Sequence, residues 1–254
     1  MPWFMRVLLG IAVLMSTPDL KQAIAEQENP PYQGTIFHFK NLVKPTDPSS
    51  YRSLRFVERT ERMMFDRRIN KFETFAVFRF AAEYSDLPEL EIDVNQEFDT
   101  QQNAQQQAEK YATAFGKLPK GLRREIQALH IQAGDQLFGG GRHVLIHTEQ
   151  GEKYIQQGIL EETLIHEAGH ALDRKYARDP QWLTAQKQDG KYISSYAKDN
   201  PFREDIAESL VPYLAVQFRA DRFPLEQRKV IQETIPHRIQ VFNSWNWDGF
   251  PKAD

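Results

Sequence analysis

Apolar positions recur with a helical period from Leu160 to Arg178. Leu164, Ile165, Ala168, Ala171 and Leu172 form one stripe, and that spacing predicts a buried helix. Glu161 and Glu162 fall near its start and Arg174, Lys175 and Arg178 near its end, the order a helix dipole favours, with Asp179-Pro180 as the stop. A second helical run is predicted after Asn200-Pro201, a polar cap followed by a first-turn proline. Its stripe is Ile206, Ala207, Leu210, Val211 and Leu214, and Pro212 inside it predicts a kink. Thr100 to Phe115 places Ala104, Ala108, Tyr111, Ala112 and Phe115 on one face under a glutamine-rich outer face, ended by Gly116 and Pro119. Leu122 and Ile126 suggest a short helix. Leu225 to Phe242 reads as helical pieces broken at Pro236, with Trp245 and Trp247 as lids on the core.

A period of two appears earlier. Leu90, Ile92 and Val94 alternate with Glu91, Asp93 and Asn95, which predicts a half-buried strand. Phe72 to Tyr84, rich in phenylalanine and alanine, pairs with it as a hairpin across Ser85, Asp86 and Pro88. Further strands are predicted at Thr35 to Lys40, Ala128 to Gln132 and Arg142 to Thr148, with a loop from Lys44 to Tyr51. Arg55 to Lys71 is densely charged around Met63, Met64 and Phe65 and fits neither period. The polar stretch leading to Lys191 reads as surface. Gly139-Gly140-Gly141 is a flexible turn into a strand, because no lysine-serine or lysine-threonine pair follows to make a phosphate loop.

Composition narrows the function classes. The 254 residues carry a formal charge of −3 and no basic stripe, which argues against a nucleic-acid partner. With no cysteine, disulfides, thiolate metal sites and thiol lipidation are excluded, so any metal is held by histidine and carboxylate. Arg6, the short apolar run Val7 to Met15 and Ala23-Ile24-Ala25 predict a secretory signal over 1–25, too short to span a bilayer. The expectation is a secreted or periplasmic protein with no stable membrane insertion once the signal is removed. Residues 26–98 then form a β-rich extension or subdomain, and 99–254 the catalytic domain.

The chemistry centres on His166-Glu167-Ala168-Gly169-His170. Histidines four apart on a helix share a face about ~5–6 Å apart and converge on one zinc ion. Glu167, beside the first, is placed to take a proton from a water held there. His143 and His147 have the same spacing, but four residues of strand span ~13 Å, so they make no second site. His130 reads as structural or surface. The run after Asn200 offers Glu204, Asp205 and Glu208. Glu204 is the expected third ligand, and Glu208, one turn on, accepts a hydrogen bond from a ligand histidine. Asp173 shares the histidine face and is another such acceptor. Arg142, His143 and Val144 are candidate substrate-binding residues, on a sheet edge where an extended peptide adds as a strand.

His166 to Asp173, then Ser195-Tyr196 with Asn200, then Glu204-Asp205-Ile206-Ala207-Glu208, resemble the catalytic domain of the anthrax lethal factor and its relatives. Those relatives include proline-specific secreted endopeptidases, among the zincins whose third ligand is glutamate. The likeness runs from about Leu160 to Phe242 and is specific in the two motif blocks. It implies an α+β zincin-like fold and a zinc peptidase with ligands His166, His170 and Glu204, general base Glu167, and a protein or peptide substrate. In the fold a small twisted mixed sheet packs on the motif helix, and a mostly helical C-terminal part follows. It also implies a tyrosine that stabilises the oxyanion. Tyr196 stands there, one residue further from the glutamate than the pattern expects, with Tyr192 as the reserve. The alternatives are a zinc hydrolase of another amide, such as a cell-wall peptide, and a zinc-containing binding domain without turnover.

Overall fold

The computed structural model describes residues 29–252. The leader expected over 1–25 lies outside the described residues; among the described ones no helix is long and apolar enough to cross a membrane. The chain is α+β. Five strands form one mixed sheet in sequence order: β1 (Tyr51–Asp66), β2 (Lys71–Tyr84), β3 (Leu90–Asn95), β4 (Ala128–Gln132) and β5 (His143–His147). β1, β2 and β3 run antiparallel, and β3, β4 and β5 run parallel. The sheet is therefore continuous across residue 98, and the core joins Phe78, Phe80 and Ile92 to Leu129, Val144 and Ile165. The N-terminal strands and those after residue 98 belong to one sheet.

Among the described residues the helices are α1 (Gln101–Phe115), α2 (Lys120–Arg123), α3 (Thr148–Gln157), α4 (Leu160–Tyr176), α5 (Pro180–Asp189), α6 (Ser195–Asp199), α7 (Asp205–Phe218), α8 (Leu225–Thr234) and α9 (Pro236–Ser244). α1 is capped by the Thr100 side chain and buries the face its alanines predicted. α4 packs along α7, where small residues allow close approach: a Cβ on Gly169 would lie 3.0 Å from Ala207 Cα. Ile206, Leu210, Val211 and Leu214 are fully buried there, each stabilising the fold by about 1.5–3 kcal/mol.

Several local expectations change. Thr35 to Lys40 is not a strand. Ile36–His38 is a 3-10 turn that buries Phe39 and leaves Phe37 exposed. β3 is buried on both faces, because Asp93 is covered and paired with Arg62 and Arg79 at 3.5 and 3.2 Å. The charged stretch from Arg55 is one arm of the long β1–β2 hairpin, whose ladder is laced with ion pairs. The polar stretch before Lys191 is α5, which Asp179 caps and whose Trp182 is fully buried.

The N-terminal segment is tied to α4 by Glu162, which is fully buried and accepts a hydrogen bond from the Val43 N–H at 3.1 Å. Its other carboxylate oxygen has no partner, and burial pushes its pKa up to about 8. A carboxyl whose folded pKa lies above its unfolded one contributes stability that is complete below the unfolded pKa. That contribution is lost as pH rises towards 8. Glu162→Gln is therefore expected to raise Tm by several degrees at pH 9 and to change it little at pH 5, as read by thermal melts. Equal shifts at both pH values would rule out the buried acid as the cause.

Candidate metal centre

His166 and His170 project from the middle of α4 on the face that meets α7. Glu204 stands at the N-terminus of α7. Its Oε2 lies 3.5 Å from His166 Nε2 and 3.5 Å from His170 Nε2. A tetrahedral ion with bonds of ~2.0–2.1 Å sets its nitrogen and oxygen donors ~3.3–3.5 Å apart. One donor atom from each of the three residues falls within 4.8 Å of the others, and Glu204 Oε2 is buried without a hydrogen-bond partner. Among the described residues no hydrogen bond satisfies that oxygen, and both rings turn the same nitrogen towards it. The residues fit a divalent cation.

The reverse sides of the rings are held in place. His170 Nδ1 lies 3.0 Å from the Arg203 carbonyl and 3.2 Å from Asp173 Oδ2. His166 Nδ1 lies 3.4 Å from Glu208 Oε1, longer than a well-formed hydrogen bond. Glu208 is itself fixed by the Thr35 N–H, which donates to Oε2 at 2.9 Å. Burial pulls the His166 pKa down, but the carboxylates of Glu204, Glu167 and Glu208 outweigh it and the ring sits at about 9. Burial raises Glu204, whereas the two imidazoles and the Tyr196 hydroxyl bring it below the usual range.

The sequence places the start of α7 too early. Asn200 ends the short α6, and α7 begins at Asp205 with no side-chain cap from Glu204. Its first free N–H groups are met from α4 instead: Ile206 N donates to Asp173 Oδ1 at 3.1 Å and Ala207 N to Asp173 Oδ2 at 3.2 Å. Asp173 thus caps α7 and steadies His170 together, which leaves the Glu204 side chain free to face the imidazoles. Asp205 points elsewhere, to Trp182 and Gln186 at 3.1 and 3.0 Å and to the buried Arg238. That ion pair, extended by Asp189, anchors the helix end that carries Glu204.

A cavity of about 880 Å³ opens over the cluster, lined in part by Glu167, Tyr154, Tyr196, Phe138 and Gly140. Glu167 Oε2 lies 3.9 Å from His170 Nε2. The Tyr196 hydroxyl donates to Glu204 Oε1 at 2.9 Å, and Arg203 Nε donates to the same oxygen at 3.1 Å. Burial and the Glu204 carboxylate raise the Tyr196 pKa, so the phenol keeps its proton. Tyr192 does not line the cavity and packs beneath the Arg238 guanidinium.

Arg142, His143 and Val144 do not line it either. Val144 is buried in the core, and His143 stacks near His130 with ring centres 4.8 Å apart. The outer edge of β5 is already taken at Leu145, whose N–H and C=O pair with Gly139 at 2.8 and 3.0 Å. The chain beside the cavity is therefore Leu137 to Gly141. Among the described residues, Phe138 and Gly140 make no backbone hydrogen bond. Arg203 and Thr35 carry no signal in the sequence, and Gly140 reads there only as part of a flexible turn, since each acts through a contact made only on folding.

Gly140 needs to be glycine for a local reason. A Cβ there would overlap His170 Cδ2 and the Glu167 carbonyl oxygen. Gly140→Ala is expected to displace the His170 ring and to weaken the hold of the cluster on any divalent cation by about tenfold or more, comparable to losing a residue that orients a ligand. Competition with a chelating dye measures it, and wild-type affinity in the variant would show that the ring has room.

Comparison with protein families, with curated proteins and with solved structures gives no match to this chain.

Proposed function

We propose that this protein is a zinc-dependent peptidase with a zincin-like catalytic centre. The observation that supports it most is the convergence of the His166 and His170 ε2 nitrogens on one unpartnered oxygen of Glu204, with Glu167 beside them on an open cavity. His166, His170 and Glu204 would hold the ion, which supplies Lewis-acid polarisation and a nucleophile at neutral pH. Imidazole with carboxylate suits zinc, and the absence of cysteine leaves no thiolate donor.

The chain's own groups divide the remaining work. The Glu167 carboxylate takes the proton of the attacking water and returns it to the leaving amine. The Tyr196 hydroxyl leaves Glu204 to donate to the oxygen on which negative charge develops. Arg203, already bonded to Glu204 and 3.4 Å from the Tyr196 oxygen, holds the carboxylate when the phenol turns away. An extended substrate lies along Phe138 and Gly140, whose free backbone groups suit strand addition.

The test is incubation of the purified, zinc-loaded protein with a mixed peptide library, followed by mass spectrometry. Cleavage that a chelator stops and zinc restores supports the reading. Intact peptides from a protein carrying one zinc per chain would overturn it and favour the binding domain. Cleavage confined to cell-wall fragments would favour the other amide hydrolase.

A further inference from the structure

The cavity is more cationic than the chain that forms it. The whole chain carries a charge of −3, yet Arg67, Arg174 and Arg178 all line this one opening. They come from two places in the fold. Arg67 sits in the turn of the β1–β2 hairpin, while Arg174 lies one turn after His170 on α4 and Arg178 stands in the turn just past the end of that helix. Their guanidinium groups frame the glycine run beside the cluster. Arg67 Nη2 lies 3.1 Å from where a Cβ on Gly139 would stand, and Arg174 Nη1 3.0 Å from one on Gly141. Arg178 lies over the exposed ring of Phe202 at 5.0 Å.

None of the three forms an ion pair among the described residues, and all are exposed. That sets them apart from Arg55, Arg68, Arg79, Arg123, Arg222 and Arg238, each matched to a carboxylate. Four acids share the wall, Glu167, Asp173, Glu204 and Glu208, and Arg203 joins the three arginines, so a bound dication would leave the opening net cationic. Asp173, Glu204 and Glu208 are committed around the imidazoles, and a dication would more than balance Glu204. Large apolar side chains stand exposed on the same rim: Phe37, Leu137 and Phe202. Unpaired arginines gathered at one concave opening raise the local concentration of anions and match carboxylates in geometry.

We infer that the cavity selects acidic peptides: segments that set aspartate or glutamate within a few residues of a large apolar side chain at the cleavage point. Arg67, Arg174 and Arg178 receive the carboxylates, and Phe37, Leu137 and Phe202 receive the apolar group. The inference rests on the peptidase reading, so its test uses binding as well as turnover.

Three fluorescein-labelled decapeptides share a central phenylalanine-alanine pair and differ only in flanks of glutamate, glutamine or lysine. Anisotropy titrations use the zinc-loaded Glu167→Gln protein, and cleavage assays use the wild type. The glutamate peptide is expected to bind about tenfold more tightly than the glutamine peptide at low salt and the lysine peptide least, with the advantage shrinking as salt is added. Arg67→Gln with Arg174→Gln is expected to bring the first two within about threefold, with zinc content and melting temperature unchanged. Equal binding of all three, or preference for lysine, overturns the inference even if the wild type cleaves peptides. Selective binding of the glutamate peptide without cleavage of any substrate keeps the charge selection and removes the peptidase.

Discussion

Glu167→Gln is expected to bind zinc as the wild type does and to lose peptide cleavage by on the order of 10²–10⁴-fold, the contribution a positioned general base makes. The argument starts from what Glu167 does not do. It is not one of the three converging donors, and among the described residues no ion pair other than the 3.9 Å approach to His170 engages its carboxylate. Its backbone carbonyl, which takes the Gly141 N–H at 3.2 Å, stays in place in the variant. Glutamine keeps the shape and removes the ability to accept a proton. Metal analysis should return one zinc per chain and an unchanged Tm, and kcat should fall while KM stays close to its starting value. A variant retaining more than about a third of wild-type kcat/KM would place the base elsewhere.

What could be read from the residues in advance follows a physical division. The 3.6-residue spacing of apolar positions located α4 and the body of α7, because both helices bury their stripes wholly in the core. The spacing of His166 and His170 put two imidazoles on one face by helix geometry alone. The start of α7 was misplaced by a local signal, Asn200-Pro201, that lost to a distant one: Asp173, more than thirty residues earlier, supplies the cap. No reading of neighbours along the chain finds such a partner.

Phe72 to Tyr84 reads as a strand and is β2, paired with β3 as expected, whereas β1 is illegible for another reason. β1 and β2 satisfy each other's backbone along fourteen paired positions, so many outward residues are charged and no clean alternation survives. The edge beside the cavity was misassigned because strand direction and neighbour order are set by non-local pairing. Gly139 folding back on Leu145 closes the edge of β5 and moves the exposed backbone to Phe138 and Gly140. At Thr35 to Lys40 the apolar density was real, but it reflects Phe39 plugging the core from a tight turn rather than a strand.

Glu204→Ala should have the largest effect on the metal. Loss of a residue that merely orients a ligand costs about 10–100-fold in affinity; loss of a ligand should exceed that and abolish turnover. The variant should nonetheless fold, because Asp173 caps α7 and Asp205 holds it to Arg238 whether or not Glu204 is present. The discriminating quantity is the rise in Tm when zinc is added. A ligand at 100 times its Kd stabilises the native state by about 2.7 kcal/mol, so wild-type protein should melt several degrees higher with zinc and Glu204→Ala should not. Asp205→Ala is the counterpart: it breaks the anchor and lowers Tm with or without zinc, while leaving the three donors intact. If Glu204→Ala kept the zinc-induced rise and Asp205→Ala lost it, the third donor would be Asp205. The 3.5 Å approaches of Glu204 to the two rings would then describe only charge pairing between an acid and two imidazoles.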